Sequence, residues 1–392
     1  METYKPSLLM RPEEKLILHS CFNRRDVHDS IFLGLLGEAV DWKYFIDRSI
    51  DTLIAPVVYK RIRASPDLEV EVPAHVITKL HQTYSQIFVK NTFLFKSFHD
   101  LLVEFEKRKF QVIPLKGIFL LENYYEDFGL RQISDIDLLV KQSQLQEVCL
   151  YFINNGFEME MYMPEIAARV SKTPAPYKFS KNGLVIDLHV NLTYVYDHCQ
   201  FEMDEVWSSV KRNEKNYFEL NFLDHAVYLF AHLIKHFDYR NCKLINFYDL
   251  CLVLTTEQVV AKDLVQHAEK HGCLLDILDV SYLLKKYFGL NFLNEELLEY
   301  VPSRSNIDEI FLDILSTERA RLEMKYAPKG STGFRPVAYL SVKNKLVYVF
   351  SRIFPGRLYI RTKYSKSEKP IIGGYICHFK SIFSMLFSSQ VI

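Results

Sequence analysis

The chain has 392 residues, no formal net charge, and 49% hydrophobic against 24% charged residues. That is an ordinary globular balance with room for two or three domains. It holds no run near the ~18 consecutive apolar residues of a membrane span. Seven scattered cysteines without a Cys-x-x-Cys pair argue against a disulfide scaffold and for reduced thiols in a cytoplasmic protein.

The start, Met1-Glu2-Thr3-Tyr4-Lys5-Pro6, lacks a signal-peptide pattern. Charge is unevenly spread. From Lys325 to Ile392 twelve Lys/Arg stand against one acid, Glu368, so this segment carries +11 and the other 324 residues carry −11.

Residues 1–110 read as an N-terminal helical region. Asp41 has the chemistry of an N-cap before Trp42-Lys43-Tyr44-Phe45-Ile46, and Pro56 falls early in the next helical run, where proline is tolerated. No glycine or proline occurs between Pro73 and Phe110. Apolar residues at Ile77, Leu80, Tyr84, Ile87, Phe88, Phe95, Phe98 and Leu102 predict one long amphipathic helix there.

Residues 111–215 read as an α/β core. A strand Val112–Leu115 leads into a helix Ile118–Tyr125, broken at Gly129. A strand Ile136–Val140 and a helix Gln144–Asn154 follow, with Gly156 as the helix stop. Phe157–Met163, Tyr177–Ser180 and Leu184–Val190 alternate as strands, and Asn182-Gly183 is a strong hairpin turn signal. Within this core Asp135 and Asp137 stand one residue apart in an apolar run, so on a strand they share one face while Ile136 and Leu138 take the other. Asp187 supplies a third carboxylate in a second strand. Buried charges need partners, and carboxylates so placed suit a hard divalent cation. Lys116-Gly117 ends the first strand, where a helix N-terminus can receive a phosphate and a glycine lets the backbone approach it.

Residues 216–324 return to helix. Asp224 can cap a run through Phe237. Within it His232 and His236 lie four apart on one face, with Lys235 nearby. Such a pair can bind zinc or be ordinary core or surface histidines; no Glu follows the first His, which excludes a metalloprotease helix. Residues 325–392 form a basic aromatic tail. Its stretch Val342–Phe354 can lie on an anionic membrane surface or pack on the acidic body of the chain, and the acidic partner already present favours packing.

Leu115-Lys116-Gly117, Arg131, Ser134-Asp135-Ile136-Asp137-Leu138-Leu139-Val140, Asp187-Leu188-His189, the run Ala231–His236 and Asp249 together resemble the uncharacterised nucleotidyltransferases of the DNA-polymerase-β superfamily. The resemblance runs from about Asp41 to beyond Asp249. It departs in three places. Lys116-Gly117 stands where the superfamily commonly has Gly followed by Gly or Ser. Seventeen residues separate Gly117 from Asp135, a longer interval than usual, and Val190 stands where a Trp is common.

The resemblance implies an α+β fold, with a small mixed-sheet nucleotidyltransferase core between N-terminal and C-terminal helical regions. It implies transfer of a nucleoside monophosphate from an NTP to a hydroxyl of an acceptor, with release of pyrophosphate. Asp135, Asp137 and Asp187 are the expected catalytic and metal-binding residues, holding two magnesium ions. Lys116, Gly117, Arg131, Ser134, His189, His232, Lys235 and His236 are the expected nucleotide-binding set, with the histidine helix lining the cleft and Asp249 orienting one of its side chains. The acceptor is a small molecule, a peptide or a protein. A catalytically degenerate nucleotide- or partner-binding module is the alternative. No P-loop or kinase signature is present.

Overall fold

The structure, a computed structural model, describes residues 10–21, 32–36, 39–195, 197–238, 242–257, 259–293, 300–303, 306–316, 340–364 and 371–388. Met1–Pro6, Lys325 and Glu368 of the sequence reading lie outside them. The architecture is α+β, a five-stranded mixed sheet with helices before and after it in the chain. Two units interleave along the sequence. One holds described residues of 1–96, 117–133 and 222–327; the other holds those of 97–116, 134–221 and 328–392.

The sheet belongs to the second unit. Its strands are β1 (Val112–Leu115), β2 (Ile136–Val140), β3 (Glu158–Met161), β4 (Tyr177–Lys181) and β5 (Leu184–His189), in the order β1-β2-β5-β4-β3. β2 and β5 run parallel; every other pairing is antiparallel. Interior strand β2 is buried along its whole length, in keeping with its Ile-Asp-Leu-Leu-Val sequence. β3 closes one edge with exposed Glu158 and Glu160, charges that discourage a further strand from adding. The turn between β4 and β5 has φ of 50° at Asn182 and 81° at Gly183. Two positive angles define the hairpin turn that Asn-Gly favours, and this turn fixes the register that places Asp187.

The long helix spans Ala74–Lys107. Val76, Leu80, Ile87, Leu94, Phe98, Leu102 and Phe105 are its buried stripe. Phe88 does not join it, being 40% exposed, while the polar Asn91 does, with no exposed surface. Asn91 Nδ2 donates to the carbonyls of Phe128 and Arg131 at 2.6 and 2.7 Å, so a buried amide ties down the loop that leads to Asp135. A Cβ at Gly129 in that loop would fall 2.2 Å from the Tyr84 ring, which leaves only glycine there.

In the first unit Asp41 caps the helix Trp42–Asp51 by accepting from the Tyr44 N–H at 3.0 Å, and Pro56 lies in the first turn of Ala55–Arg63. Helices Phe222–Asp238, Leu244–Thr256, Ala261–Lys270, Leu274–Phe288 and Ile307–Ser316 follow in the same unit. Asp224 sits inside the first turn of Phe222–Asp238 and is not its cap.

In the tail, helix Val342–Ile353 packs on the short helix Glu165–Val170 of the same unit. The contact is apolar: Tyr348, fully buried, lies in a cluster with Ala167 and Leu340. Tyr348 is the aromatic ring buried in that attachment. Among the described residues no helix is long and apolar enough to cross a membrane.

Candidate active site

The parallel register of β2 and β5 builds the site. Asp137 pairs directly with Asp187, and Leu139 with His189. Residues in register point to the same face, so Asp137, Asp187 and His189 share it. Ile136, Leu138, Ile186 and Leu188 take the other face and are fully buried. Apolar burial on one side therefore holds the carboxylates in place on the other. Asp135, one residue before β2, is half-buried and receives the Ser134 hydroxyl at 2.8 Å.

Asp137 is 8% exposed and accepts two hydrogen bonds on Oδ1. Lys116 Nζ donates at 3.0 Å and His189 Nε2 at 2.7 Å. A carboxylate oxygen only accepts, so His189 carries its proton on Nε2 in this contact. Burial would raise the Asp137 carboxyl, but the Lys116 ammonium and His189 outweigh it and hold it well below the usual carboxylate range. Asp187 goes the other way. Burial first, then the charges of Asp137 and Asp135, push it up to about 6, against the hydroxyl of Tyr162, which donates to its two oxygens at 2.9 and 3.1 Å. No sequence signal marks Tyr162, which lies just beyond β3.

Lys116 begins the helix Lys116–Asn123 with φ of 48°, a left-handed angle that costs a side-chain-bearing residue about 1 kcal/mol or more. This is the position where the sequence departs from the superfamily's common glycine, and its ammonium sits on Asp137. Gly117 has a local reason of its own: a Cβ there would meet the Arg131 guanidinium at 2.8 Å and Ile133 at 3.4 Å.

Arg131 lies in the first unit and is 9% exposed. Its Nε and one terminal nitrogen donate to the two oxygens of Asp249, each at 2.8 Å, and the Tyr125 hydroxyl donates to the same carboxylate at 2.6 Å. Asp249 was expected to orient a histidine; the structure pairs it with Arg131 and Tyr125. His232, Lys235 and His236 are half-buried on Phe222–Asp238, in the same unit, with the two imidazole rings 4.4 Å apart edge to face.

Among the described residues, one group of three His, Cys, Asp or Glu side chains has its donor atoms all within 4.8 Å: Asp224, His267 and His271. Asp135, Asp137 and Asp187 share a region of the sheet without being gathered that tightly.

A mixed sheet that presents carboxylates and a lysine on one face makes this an α+β protein with an acidic cluster on its sheet. The chain belongs to the protein family described as uncharacterised nucleotidyltransferase, whose model matches residues 38–289, more than half of the sequence. Membership agrees with the superfamily resemblance of the motifs and gives nucleotidyl transfer as the general activity. No curated protein and no solved structure matches the chain.

Proposed function

We propose that this protein transfers a nucleoside monophosphate from an NTP to an acceptor hydroxyl, with magnesium held by Asp135, Asp137 and Asp187. The observation that carries the reading is the Asp137–Asp187 register, which sets two carboxylates side by side on one sheet face with Asp135 leading into it. Oxygen donors fit magnesium, and burial, with the neighbouring charges of Asp137 and Asp135, raises the Asp187 carboxyl, a cost that a bound cation would offset. Bound magnesium would neutralise charge on the triphosphate and make the attacking hydroxyl easier to deprotonate.

The chain's own residues do the rest. Asp187 accepts the hydroxyl proton. The hydroxyl oxygen bonds to the α-phosphorus, the α–β bridging bond breaks, and pyrophosphate leaves. Lys116 moves from Asp137 to the triphosphate as a mobile positive charge, and His189 stays on Asp137 to fix its orientation. Gly117, in the first turn of Lys116–Asn123, lets the backbone approach a phosphate, and Ser134 orients Asp135 through its hydroxyl. His232, Lys235 and His236 belong to the proposed nucleotide-binding set. The acceptor is a small molecule, peptide or protein.

One observation favours the degenerate binding module as a second reading: the Lys116 ammonium already partners Asp137. The experiment that separates the two is pyrophosphate release with each of the four NTPs, magnesium and a cell extract, followed by mass spectrometry of the modified acceptor. Release with one NTP and a matching mass increment supports transfer. Nucleotide binding without release under all four conditions supports the module.

A further inference from the structure

We propose that Asp224, His267 and His271 form a binding site for a transition metal ion of the zinc class, built wholly within the helical unit. The three donors come from two helices. His267 lies in the last turn of Ala261–Lys270 and His271 is the residue that caps its C-terminus, four positions on. That spacing stacks both imidazoles on one face, with ring centroids 4.7 Å apart. Asp224 projects from the first turn of Phe222–Asp238. Its Oδ1 lies 2.7 Å from His267 Nε2 and 3.6 Å from His271 Nε2.

The geometry suits a metal. A tetrahedral ion with bonds of ~2.0–2.1 Å holds its ligand atoms roughly 3.3 Å apart, and the two measured contacts bracket that value. Small side-chain rotations bring all three donors to it. Asp224 is 5% exposed and His271 7%, so the carboxylate charge is held out of water and must be compensated on the spot. In the absence of metal the 2.7 Å Asp224–His267 contact requires a proton on His267 Nε2, while His271 Nε2 stands 3.6 Å from the same oxygen, beyond hydrogen-bond length. A divalent cation would take the place of that proton and draw the same three atoms together.

The donor set also selects the ion. Two imidazole nitrogens and one carboxylate oxygen prefer zinc, cobalt or nickel to magnesium, which favours oxygen ligands alone. Three protein donors leave a fourth position for water. His225, next to Asp224, is not part of the group: its ring meets Phe119 edge-on at 4.8 Å. The His232/His236 pair singled out in the sequence lacks a converging third donor among the described residues. A metal at Asp224 would tie the start of one helix to the end of another, so its binding is read directly as stability.

The test uses the full-length, tag-free chain stripped with a chelator. Zinc is titrated calorimetrically and cobalt by its visible absorption, in the presence of excess magnesium. One equivalent of zinc is expected, with a four-coordinate cobalt spectrum and a higher melting temperature on loading. His267→Gln and His271→Gln should each weaken binding at least about ten-fold and remove the melting shift. Far-UV circular dichroism in chelator checks that each variant folds, and either folded variant suffices. Wild-type affinity retained in a folded variant means an adventitious ion only and overturns the proposal, as does less than one equivalent bound by the wild type.

Discussion

The carboxylate face of the sheet and the Asp224 cluster of the helical unit both centre on a buried aspartate, and they are built from opposite materials. On the sheet, strand register brings Asp137 and Asp187 side by side. Lys116 and His189 hold Asp137 in its charged form, while Asp187, beside it, is pushed to about 6. In the helical unit, four-residue spacing sets two imidazoles against Asp224. There burial is outweighed by their hydrogen bonds, and the carboxyl is held well below the usual range. The difference teaches what each region can accept. Two adjacent carboxylates leave excess negative charge for a hard cation and a proton. A carboxylate matched by two imidazoles leaves soft nitrogen donors instead.

The largest effect expected falls on the sheet. Asp187→Asn removes the proton acceptor and should lower nucleotidyl transfer by about 10²- to 10⁴-fold with the fold intact, measured as initial rates beside circular dichroism. A rate within two-fold of the wild type would take Asp187 out of the chemistry.

Next comes the buried pair of the helical unit. Arg131→Met leaves Asp249 charged and without its bidentate partner, and should cost about 3–5 kcal/mol in chemical denaturation. A much smaller loss would show that the Tyr125 hydroxyl alone satisfies Asp249.

Lys116 allows a finer comparison. Lys116→Met and Lys116→Gly both remove the ammonium from Asp137, but only glycine relaxes the left-handed backbone. The glycine variant should be more stable than the methionine variant by about 1 kcal/mol. Equal stabilities would mean that the turn holds no strain.

The two aspartates also predict opposite pH behaviour in metal-free protein. The folded-state value of Asp187, about 6, lies above the ~3.9 of an unfolded chain. The folded protein therefore binds the extra proton, and its stability falls as pH rises from about 4 through 6. Asp137 contributes stability above the unfolded value, lost only as pH falls through its lowered one. Melting curves from pH 4 to 7 should show the decline in the wild type and not in Asp187→Asn. Tyr162→Phe is the smallest change. It removes the hydroxyl that donates to Asp187, should move the decline to higher pH, and should slow transfer by less than about ten-fold.

Much of the sheet was legible because strand alternation and the Asn182-Gly183 turn are local signals. They fixed β1, β2, β4 and β5 to within a residue or so. The histidine of Asp187-Leu188-His189 came from family resemblance; its hydrogen bond to Asp137 is a diagonal contact across β2 and β5 that only pairing reveals. Asn91, Tyr125 and Tyr162 went unread because their partners lie 25 to 124 residues away in the chain. Asp224 looked like a helix cap because its partners, His267 and His271, stand on another helix. The Tyr348 attachment of the tail is not legible because its partner Ala167 lies on a distant helix of the chain.

The central claim is that Asp137 supports transfer of the α-phosphate. Incubation with magnesium and an NTP labelled at either the α- or the γ-phosphate, in extract as acceptor source, tests it most directly, with Asp137→Asn alongside. The account predicts label in an acceptor from the α-phosphate only, and none above background in the folded variant. Label from the γ-phosphate, or undiminished α-transfer by Asp137→Asn, would contradict it.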